Sequence, residues 1–246
     1  MRISANEIVD STDAPQALSA RCAFCGVRRW SICDGGSDDE TALRERLKSV
    51  KLFEAGEDIF RAGEPLTYVG NILHGVVKLT HTLADGRRQM VGLRFPSDFL
   101  GRIGKPAPEF DATAAGSVML CRFRIDDFEV LLEKSPGLRR RLLEKSHDEL
   151  HAAHELQLLL GRKSAREKVA SFLCMVAHRS PSFDSAGGFP LQLPITRADI
   201  ADYLGLTIET VSRQLSKLRR DDLIAFTGVR DVDVLDFPGL RSVSGG

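Results

Sequence analysis

The sequence predicts an α+β protein with an N-terminal β-roll of the jelly-roll type, a long helix and a C-terminal winged helix-turn-helix domain. Three observations support this prediction. Short apolar runs between residues 50 and 125 alternate with glycine turns, as in antiparallel barrels and jelly rolls. Residues 126–161 follow a helical pattern. Two short helical patterns and an alternating strand pattern come near the C-terminal end.

Composition and charge bound the class of protein. The 246 residues suffice for two modest domains, and 34 basic side chains balance 34 acidic ones. Global charge therefore gives no support for a nucleic-acid partner, which must be argued from local patches. No run approaches the roughly 20 apolar residues that span a bilayer, and the polar, acidic N-terminal residues do not resemble a secretory signal. We expect a cytoplasmic protein with no membrane partner.

Changes in composition divide the chain into five parts. The predicted divisions are a flexible tail (1–20), a cysteine segment (21–40), a β-roll sensor domain (41–133), a dimerisation helix (134–161) and the winged helix-turn-helix domain (162–246). The cysteine segment has little apolar periodicity. We expect a metal to supply much of its ordering energy, because metal binding becomes folding energy at such sites.

The β-roll prediction depends on short runs such as residues 76–79 and 90–93. The dipeptide Asp85-Gly86 between them is a strong hairpin-turn signal. These strands and turns recur at the spacing expected of an antiparallel roll.

The long helix can start at Pro136, since the first helical turn tolerates proline. A heptad pattern follows, and we call its residues the seam: Leu143, Ser146, Leu150, Ala153, Gln157 and Leu160. Leu142, Leu156 and Leu159 lie on a different face and can pack on the chain's own domains. Two apolar faces suit the spine of a homodimer with a weak interface, but this segment alone fits an amphipathic core helix equally well.

The helix-turn-helix prediction rests on capping and turn residues. Thr196 with Asp199 forms a near capping box, Gly205 ends the first helix, and Thr207 is a plausible N-cap of the second. Val211, Leu215 and Leu218 form the buried stripe of the second helix. A strand pattern at Val232 and Val234, after a turn at Gly228, supplies the wing.

The outward face of the second helix carries Glu209, Ser212 and Arg213, which share one side. An arginine can pair with guanine, a glutamate can accept from a cytosine amino group, and a serine can bond several base edges. Thr210 and Lys217 are positioned to contact phosphates. This pattern favours binding of double-stranded DNA over the alternative, a solvated helix with an ordinary Glu–Arg pair.

Four cysteines have the residue type and the spacing of a site for a soft metal. Cys22 and Cys25 are two residues apart, Cys33 follows after seven more, and Cys121 ends an apolar run. Four thiolates can hold one iron–sulfur cluster or one zinc ion, and the residues alone leave both open. Cys174 lies in an apolar helix and is interpreted as core filling. An enzyme with Cys25 as nucleophile lacks a base nearby in sequence, so we predict no enzymatic activity.

The run TRADIADYLGLTIETVSR (196–213) resembles the DNA-binding signature of the CRP/FNR family of bacterial transcription regulators. The predicted β-roll, long helix and winged helix follow the family's order. The trio Glu209, Ser212 and Arg213 is similar to that of the FNR branch, which implies a dimer on a TTGAT-N4-ATCAA palindrome, with the Glu and Arg on the G·C pair.

The cysteine set is similar to that of FNR-type regulators of the FnrL and FnrN kind. This resemblance implies a [4Fe-4S] cluster on Cys22, Cys25, Cys33 and Cys121, which oxygen converts to a [2Fe-2S] form as the dimer loosens. The gap before Cys33 is longer than in the best-known enterobacterial form, which lengthens a loop without changing the number of ligands. The resemblance therefore implies an oxygen-sensing activator of anaerobic genes.

Two further expectations follow from the resemblance. Residues 99–105 and 114–115 lack the Arg-Ser run of the cyclic-nucleotide branch, so cyclic nucleotide is not the expected effector. Residues 101–111 match a loop that contacts RNA polymerase in the family, although a proline-containing surface turn is the alternative. A zinc-structured regulator and a nitric-oxide-responsive regulator remain open.

Overall fold

The computed structural model describes residues 21–34, 37–104 and 107–245, so the predicted tail lies outside the described residues. The described α-helices are α1 (Asp38–Leu47), α2 (Ile125–Lys134), α3 (Pro136–Arg162), α4 (Ala165–His178), α5 (Arg197–Leu204), α6 (Ile208–Arg220) and α7 (Phe237–Val243). The described strands are β1 (Ser49–Phe53), β2 (Asp58–Phe60), β3 (Tyr68–His74), β4 (Val77–Thr82), β5 (Arg88–Arg94), β6 (Phe99–Leu100), β7 (Asp111–Ala114), β8 (Val118–Arg124), β9 (Phe189–Gln192), β10 (Ile224–Phe226) and β11 (Asp231–Val234).

The predicted β-roll is confirmed as two four-stranded antiparallel sheets. Their strand orders are β1-β8-β3-β6 and β2-β7-β4-β5. Apolar side chains from both sheets, including Phe53, Ile72 and Leu79, form the core between them. The Asp85-Gly86 turn joins β4 to β5, and Gly86 takes the left-handed φ of 86° that glycine adopts without strain.

Strand β8 presents different side chains to its two faces. Val118 and Leu120 belong to the core between the sheets, whereas Cys121 and Phe123 lie in a second cluster with side chains of α2 and α3. This alternation follows from the two-residue period of a strand. The outer face of β8 is therefore where the N-terminal residues and the helices meet.

The helical pattern over 126–161 is divided into two helices at Ser135. The Ser135 hydroxyl accepts a hydrogen bond of 3.3 Å from the Leu138 N–H, and Pro136 takes the first position of α3. In α3, Leu142 packs on the cluster outside β8, and Leu156 and Leu159 pack on the core of the C-terminal domain. This packing confirms the prediction that these three leucines face the chain's own domains.

The C-terminal domain confirms the helix-turn-helix prediction. Thr196 and Asp199 form a complete capping box, Gly205 ends α5 with a φ of 60°, and the Thr207 hydroxyl caps α6. The wing is wider than predicted, because β9 joins β10 and β11 in one sheet of order β10-β11-β9. Helix α7 and, near the N-terminal end, helix α1 were not predicted from the sequence.

The C-terminal domain packs directly on the β-roll. Lys78 Nζ of β4 lies 2.8 Å from Asp199 Oδ1 of α5, and Gln89 Nε2 of β5 donates to the Asp202 carbonyl over 2.8 Å. Met90 and Leu93 of β5 share one apolar cluster with the C-terminal domain. No helix among the described residues is long and apolar enough to cross a membrane.

Replacing Gly70 with alanine should destabilise the roll. A Cβ atom at Gly70 would lie 2.2 Å from the Cys121 carbonyl oxygen, so β3 and β8 would have to separate. We expect a loss of about 1–3 kcal/mol in the free energy of unfolding, the usual cost of overpacking, measured by urea denaturation. Gly116→Ala is the control, since its Cβ would meet nothing within 4 Å; equal losses in both variants would contradict the close-approach explanation.

The Lys78–Asp199 ion pair should contribute to stability in a pH-dependent way. Burial raises the pKa of Asp199, but Lys78 and Thr196 outweigh it, and the net pKa lies below its usual value. The stabilisation is therefore present above the unfolded pKa of about 3.9 and is lost as the pH falls through the lowered folded pKa. At neutral pH, Lys78→Met should lower the free energy of unfolding by about 1 kcal/mol.

A double-mutant cycle with Asp199→Asn isolates this pair. Asparagine keeps an oxygen for the cap on Thr196 but removes the charge. Lys78→Met should then have little effect in the Asp199→Asn background. An undiminished effect there, or a wild-type difference that grows on acidification to pH 3, would rule out the ion pair as the cause.

Candidate functional site

The described part of the cysteine segment lies against the outer face of β8. Two short 3-10 turns, Cys22–Phe24 and Arg28–Trp30, shape the chain around the first two cysteines. Ile32 is completely buried in the same cluster as Cys121, and Cys33 packs beside it. Ile32 therefore supplies part of the ordering that the sequence analysis assigned to a metal. The sequence pattern had not singled it out, because it is an isolated apolar residue.

Cys121 and Cys33 meet at Asn71. In the sheet, Cys121 of β8 is paired with Val50 of β1 on one side and with Asn71 of β3 on the other. The Asn71 side-chain amide donates a hydrogen bond of 3.4 Å to Cys33 Sγ. Asn71 is 2% exposed, and its Oδ1 is a buried acceptor without a partner among the described residues. Asn71 was not predicted from the sequence, because its place opposite Cys121 follows only from the strand register.

The four candidate thiols influence one another electrostatically. Burial raises the pKa of Cys121 to about 12, and nearby Cys33 and Cys22 add to the increase. Burial also raises the pKa of Cys22 to about 12, with a contribution from Glu45. Burial and the charge of Cys25 raise the pKa of Cys33. The raised pKa values of Cys22, Cys33 and Cys121 favour their neutral forms until a positive centre compensates the thiolate charge.

The donor set fits a sulfur-ligated inorganic centre. The cysteines Cys22, Cys25, Cys33 and Cys121 are free thiols. The charges of these thiols affect one another's pKa, so the four side chains lie near one another beside the outer face of β8. Within the described ranges, no three His, Cys, Asp or Glu side chains are already arranged to hold a metal ion. Cys174 is buried in the separate core of the C-terminal domain.

Charged side chains connect this location to its neighbours. The Cys22 N–H donates to the Glu45 carboxylate of α1, which pairs with Lys48 at 3.0 Å. Arg141 of α3 donates to the Arg29 carbonyl over 3.2 Å and also to the Asp34 carboxylate. The thiol location is therefore in contact with both α1 and α3. Neither Glu45 nor Arg141 was identified from the sequence.

The second candidate site is the outward face of α6. Val211, Leu215 and Leu218 are buried as predicted, which turns the opposite face to solvent. Glu209 and Arg213 are exposed and Ser212 is half-buried. The pKa of Glu209 lies below its usual value because the backbone N–H groups at the start of α6 and the Thr207 hydroxyl stabilise its charge.

The side chains on this face are not engaged with one another as an ordinary Glu–Arg pair. Arg213 Nη2 donates to Thr210 Oγ1 over 3.3 Å, and no ion pair among the described residues joins Glu209 to Arg213. Thr210 therefore holds Arg213 near the start of α6, and Arg213 has no carboxylate partner in the part of the chain that the structure describes. Thr210 and Lys217 are half-buried on the flanks.

The seam faces away from the chain's own domains. Leu143 is 58% exposed and Leu150 is 55% exposed, although both are large apolar side chains. Ser146, Ala153 and Gln157 are also exposed, and Leu160 is half-buried. The seam is thus an apolar stripe that the described residues leave uncovered.

Comparisons with known proteins agree with both halves of this architecture. Residues 50–135 match the model of the cyclic nucleotide-binding domain, and residues 167–243 match that of the Crp-like helix-turn-helix domain. The chain is 44% identical to the transcriptional activator protein FnrL of Cereibacter sphaeroides over 92% of each protein. It is 41% identical to the nitrogen fixation regulation protein FixK of Bradyrhizobium diazoefficiens over 83% of this chain and 86% of that protein.

The fold of the chain is also similar to that of a solved regulator structure. The fold resembles FixK2 from Bradyrhizobium japonicum with a TM-score of 0.74 and 32% identity, over 81% of this chain and 98% of that chain. The matched relatives are transcription regulators, which agrees with the absence of enzymatic activity predicted for this chain. With the β-roll, the long helix and the helix-turn-helix domain in this order, the chain belongs to the CRP/FNR family of DNA-binding transcription regulators.

Proposed function

We propose that this regulator senses oxygen through a [4Fe-4S] cluster held by Cys22, Cys25, Cys33 and Cys121, and that the intact cluster favours a homodimer that binds a TTGAT-N4-ATCAA palindrome. The observation that supports the proposal best is that four free thiols lie near one another beside the outer face of β8, in a segment that Arg141 links to α3. The proposed outcome is control of anaerobic and microaerobic genes in the cytoplasm.

Each group of residues has a distinct task in this proposal. The cluster supplies an oxygen-labile centre that the thiolates bind. Asn71 stabilises the charge on Cys33 through its amide, and Ile32 holds the segment against β8. The seam of α3 joins two protomers, so that two α6 helices enter successive major grooves about 34 Å apart.

The exposed seam supports dimerisation but does not suggest a tight dimer. Leu143 and Leu150 offer apolar contact, while Ser146, Ala153 and Gln157 contribute little apolar area. A few kcal/mol would therefore shift the monomer–dimer equilibrium strongly. Joining two half-sites in one particle raises DNA affinity without any new base contact.

Other sensing chemistries are outcomes of the tests below. A zinc-structured regulator would use the same four sulfur ligands, about 2.3 Å from a single ion, and metal analysis separates it from an iron–sulfur protein. Nitric oxide could act on the same cluster. A cluster-free regulator is the outcome in which these four cysteines are not ligands.

RNA polymerase belongs to the proposal as a further partner, and cyclic nucleotide does not. RNA polymerase would contact the loop over 101–111, of which residues 105 and 106 lie outside the described residues. Cyclic nucleotide is not proposed as an effector, since the Arg-Ser run is missing from residues 99–105 and 114–115.

Oxygen should abolish specific DNA binding through the four cysteines. Protein purified without oxygen should be brown, contain iron and labile sulfide, and shift the palindrome in a gel, and air should remove both colour and shift. Alanine at Cys22, Cys25, Cys33 or Cys121 should prevent cluster assembly, because three thiolates leave one cluster corner without its ligand. Cys174→Ala is the control and should retain the cluster. Colourless protein that binds equally with and without air would favour the zinc or cluster-free alternative.

Arg213 should determine specificity at one base pair. Arg213→Ala should cost about 1–3 kcal/mol on the palindrome and less on a site with its guanine replaced, because a bidentate contact to guanine is lost. Lys217→Ala is the comparison and should weaken all sequences to a similar degree, with a smaller salt dependence. Fluorescence anisotropy on matched duplexes measures both effects. A loss with Arg213→Ala that is the same on every duplex would identify a phosphate contact instead.

A further inference from the structure

One side chain of α3 holds the cysteine segment at two points. Arg141 Nη2 lies 3.2 Å from the Arg29 carbonyl oxygen and also binds the Asp34 carboxylate. Arg29 and Asp34 lie on opposite sides of Cys33 in the chain. The guanidinium therefore bridges the stretch that leads into this thiol and the residue that follows it.

The same guanidinium is fixed within α3. Arg141 Nη1 binds Glu144 Oε2 over 3.0 Å, one helical turn further along. A planar guanidinium with several donors keeps its orientation when more than one of them is engaged. A displacement of residues 29–34 would therefore act on the N-terminal part of α3 through this side chain. The seam residue Leu143 lies in this same part of the helix.

The neighbouring arginine offers a contrast. Arg140 also pairs with Glu144, over 2.9 Å, but it is 82% exposed and has no contact with the cysteine segment among the described residues. Arg140 and Arg141 thus share charge, helix and acidic partner. They differ in whether they contact the residues around Cys33.

We propose that Arg141 is the positioning residue that couples the state of the thiol site to the dimer seam, through its simultaneous contacts with Arg29, Asp34 and Glu144. This inference rests on the proposed function. It adds a specific route: a change in the thiol site moves residues 29–34, and Arg141 transfers this movement to α3 beside Leu143. The intact arrangement holds α3 in the orientation that dimerises.

The test is a comparison of Arg141→Gln with Arg140→Gln. Dimer dissociation constants are measured without oxygen by sedimentation equilibrium, for cluster-loaded and for metal-free protein, with iron and sulfide content determined in parallel. Wild type and Arg140→Gln should show a tighter dimer when loaded, within the roughly 5–150-fold range of typical coupling. In Arg141→Gln this ratio should fall to about one, while the iron content stays as in wild type.

A second measurement does not require the cluster. In metal-free protein, amide hydrogen exchange of residues 29–34 should become faster in Arg141→Gln and remain unchanged in Arg140→Gln. The combination of Arg141→Glu with Asp34→Arg should slow this exchange relative to Arg141→Glu alone, because the charge pair is restored in the opposite sense. A merely structural role of the charge on α3 would affect both arginine variants alike.

The outcomes separate the two proposals. An unchanged coupling ratio in Arg141→Gln, with coupling present in wild type, would overturn the role of Arg141 and leave the oxygen-sensing proposal standing. Unchanged hydrogen exchange in that variant would equally overturn it. A wild-type ratio of one would remove cluster-dependent dimerisation, and the role of Arg141 with it.

Discussion

The pairing of β8 with both β1 and β3 is the constraint on which the thiol site depends. An interior strand is held by hydrogen bonds on both sides, so Cys121 has a fixed position and a fixed direction. The other three cysteines belong to an irregular segment whose position depends on Ile32 and on a few polar contacts. One rigidly held thiol and three thiols in an irregular segment would suit the change of geometry that the proposed cluster chemistry requires.

The helix-turn-helix domain was predictable because its signals are local. Thr196, Asp199, Gly205 and Thr207 each act within one turn of their own position, and each has the predicted role. The β-roll was predictable as a class but not in its strand pairing. The β1–β8 ladder joins Phe53 to Val118, and no local pattern records so distant a pairing. Strand β9 was missed for the same reason, since its partner β11 lies in a distant part of the chain.

The candidate thiol site likewise has a part that was predictable from the sequence and a part that was not. The cysteines could be selected by residue type and spacing, but their supporting residues could not. Asn71 matters only because the register of β3 and β8 sets it opposite Cys121. Arg139, Arg140 and Arg141 form a uniform run in the sequence, and only the packing of α3 turns Arg141 toward the cysteine segment. Polar support of this kind depends on tertiary geometry and leaves no sequence pattern.

The packing of the C-terminal domain on the β-roll limits the ways in which a change at the thiol site could affect DNA binding by α6. The Lys78–Asp199 pair and the Gln89 contact join the two domains within one chain and do not require a second protomer. The face of α6 that is proposed to contact DNA is exposed while these contacts are made, so the roll does not block it. Control by occlusion would need that face to be covered. Control through the spacing of two protomers needs only that α3 of each protomer changes its partner contacts, and the uncovered seam with Leu143 and Leu150 is suited to that.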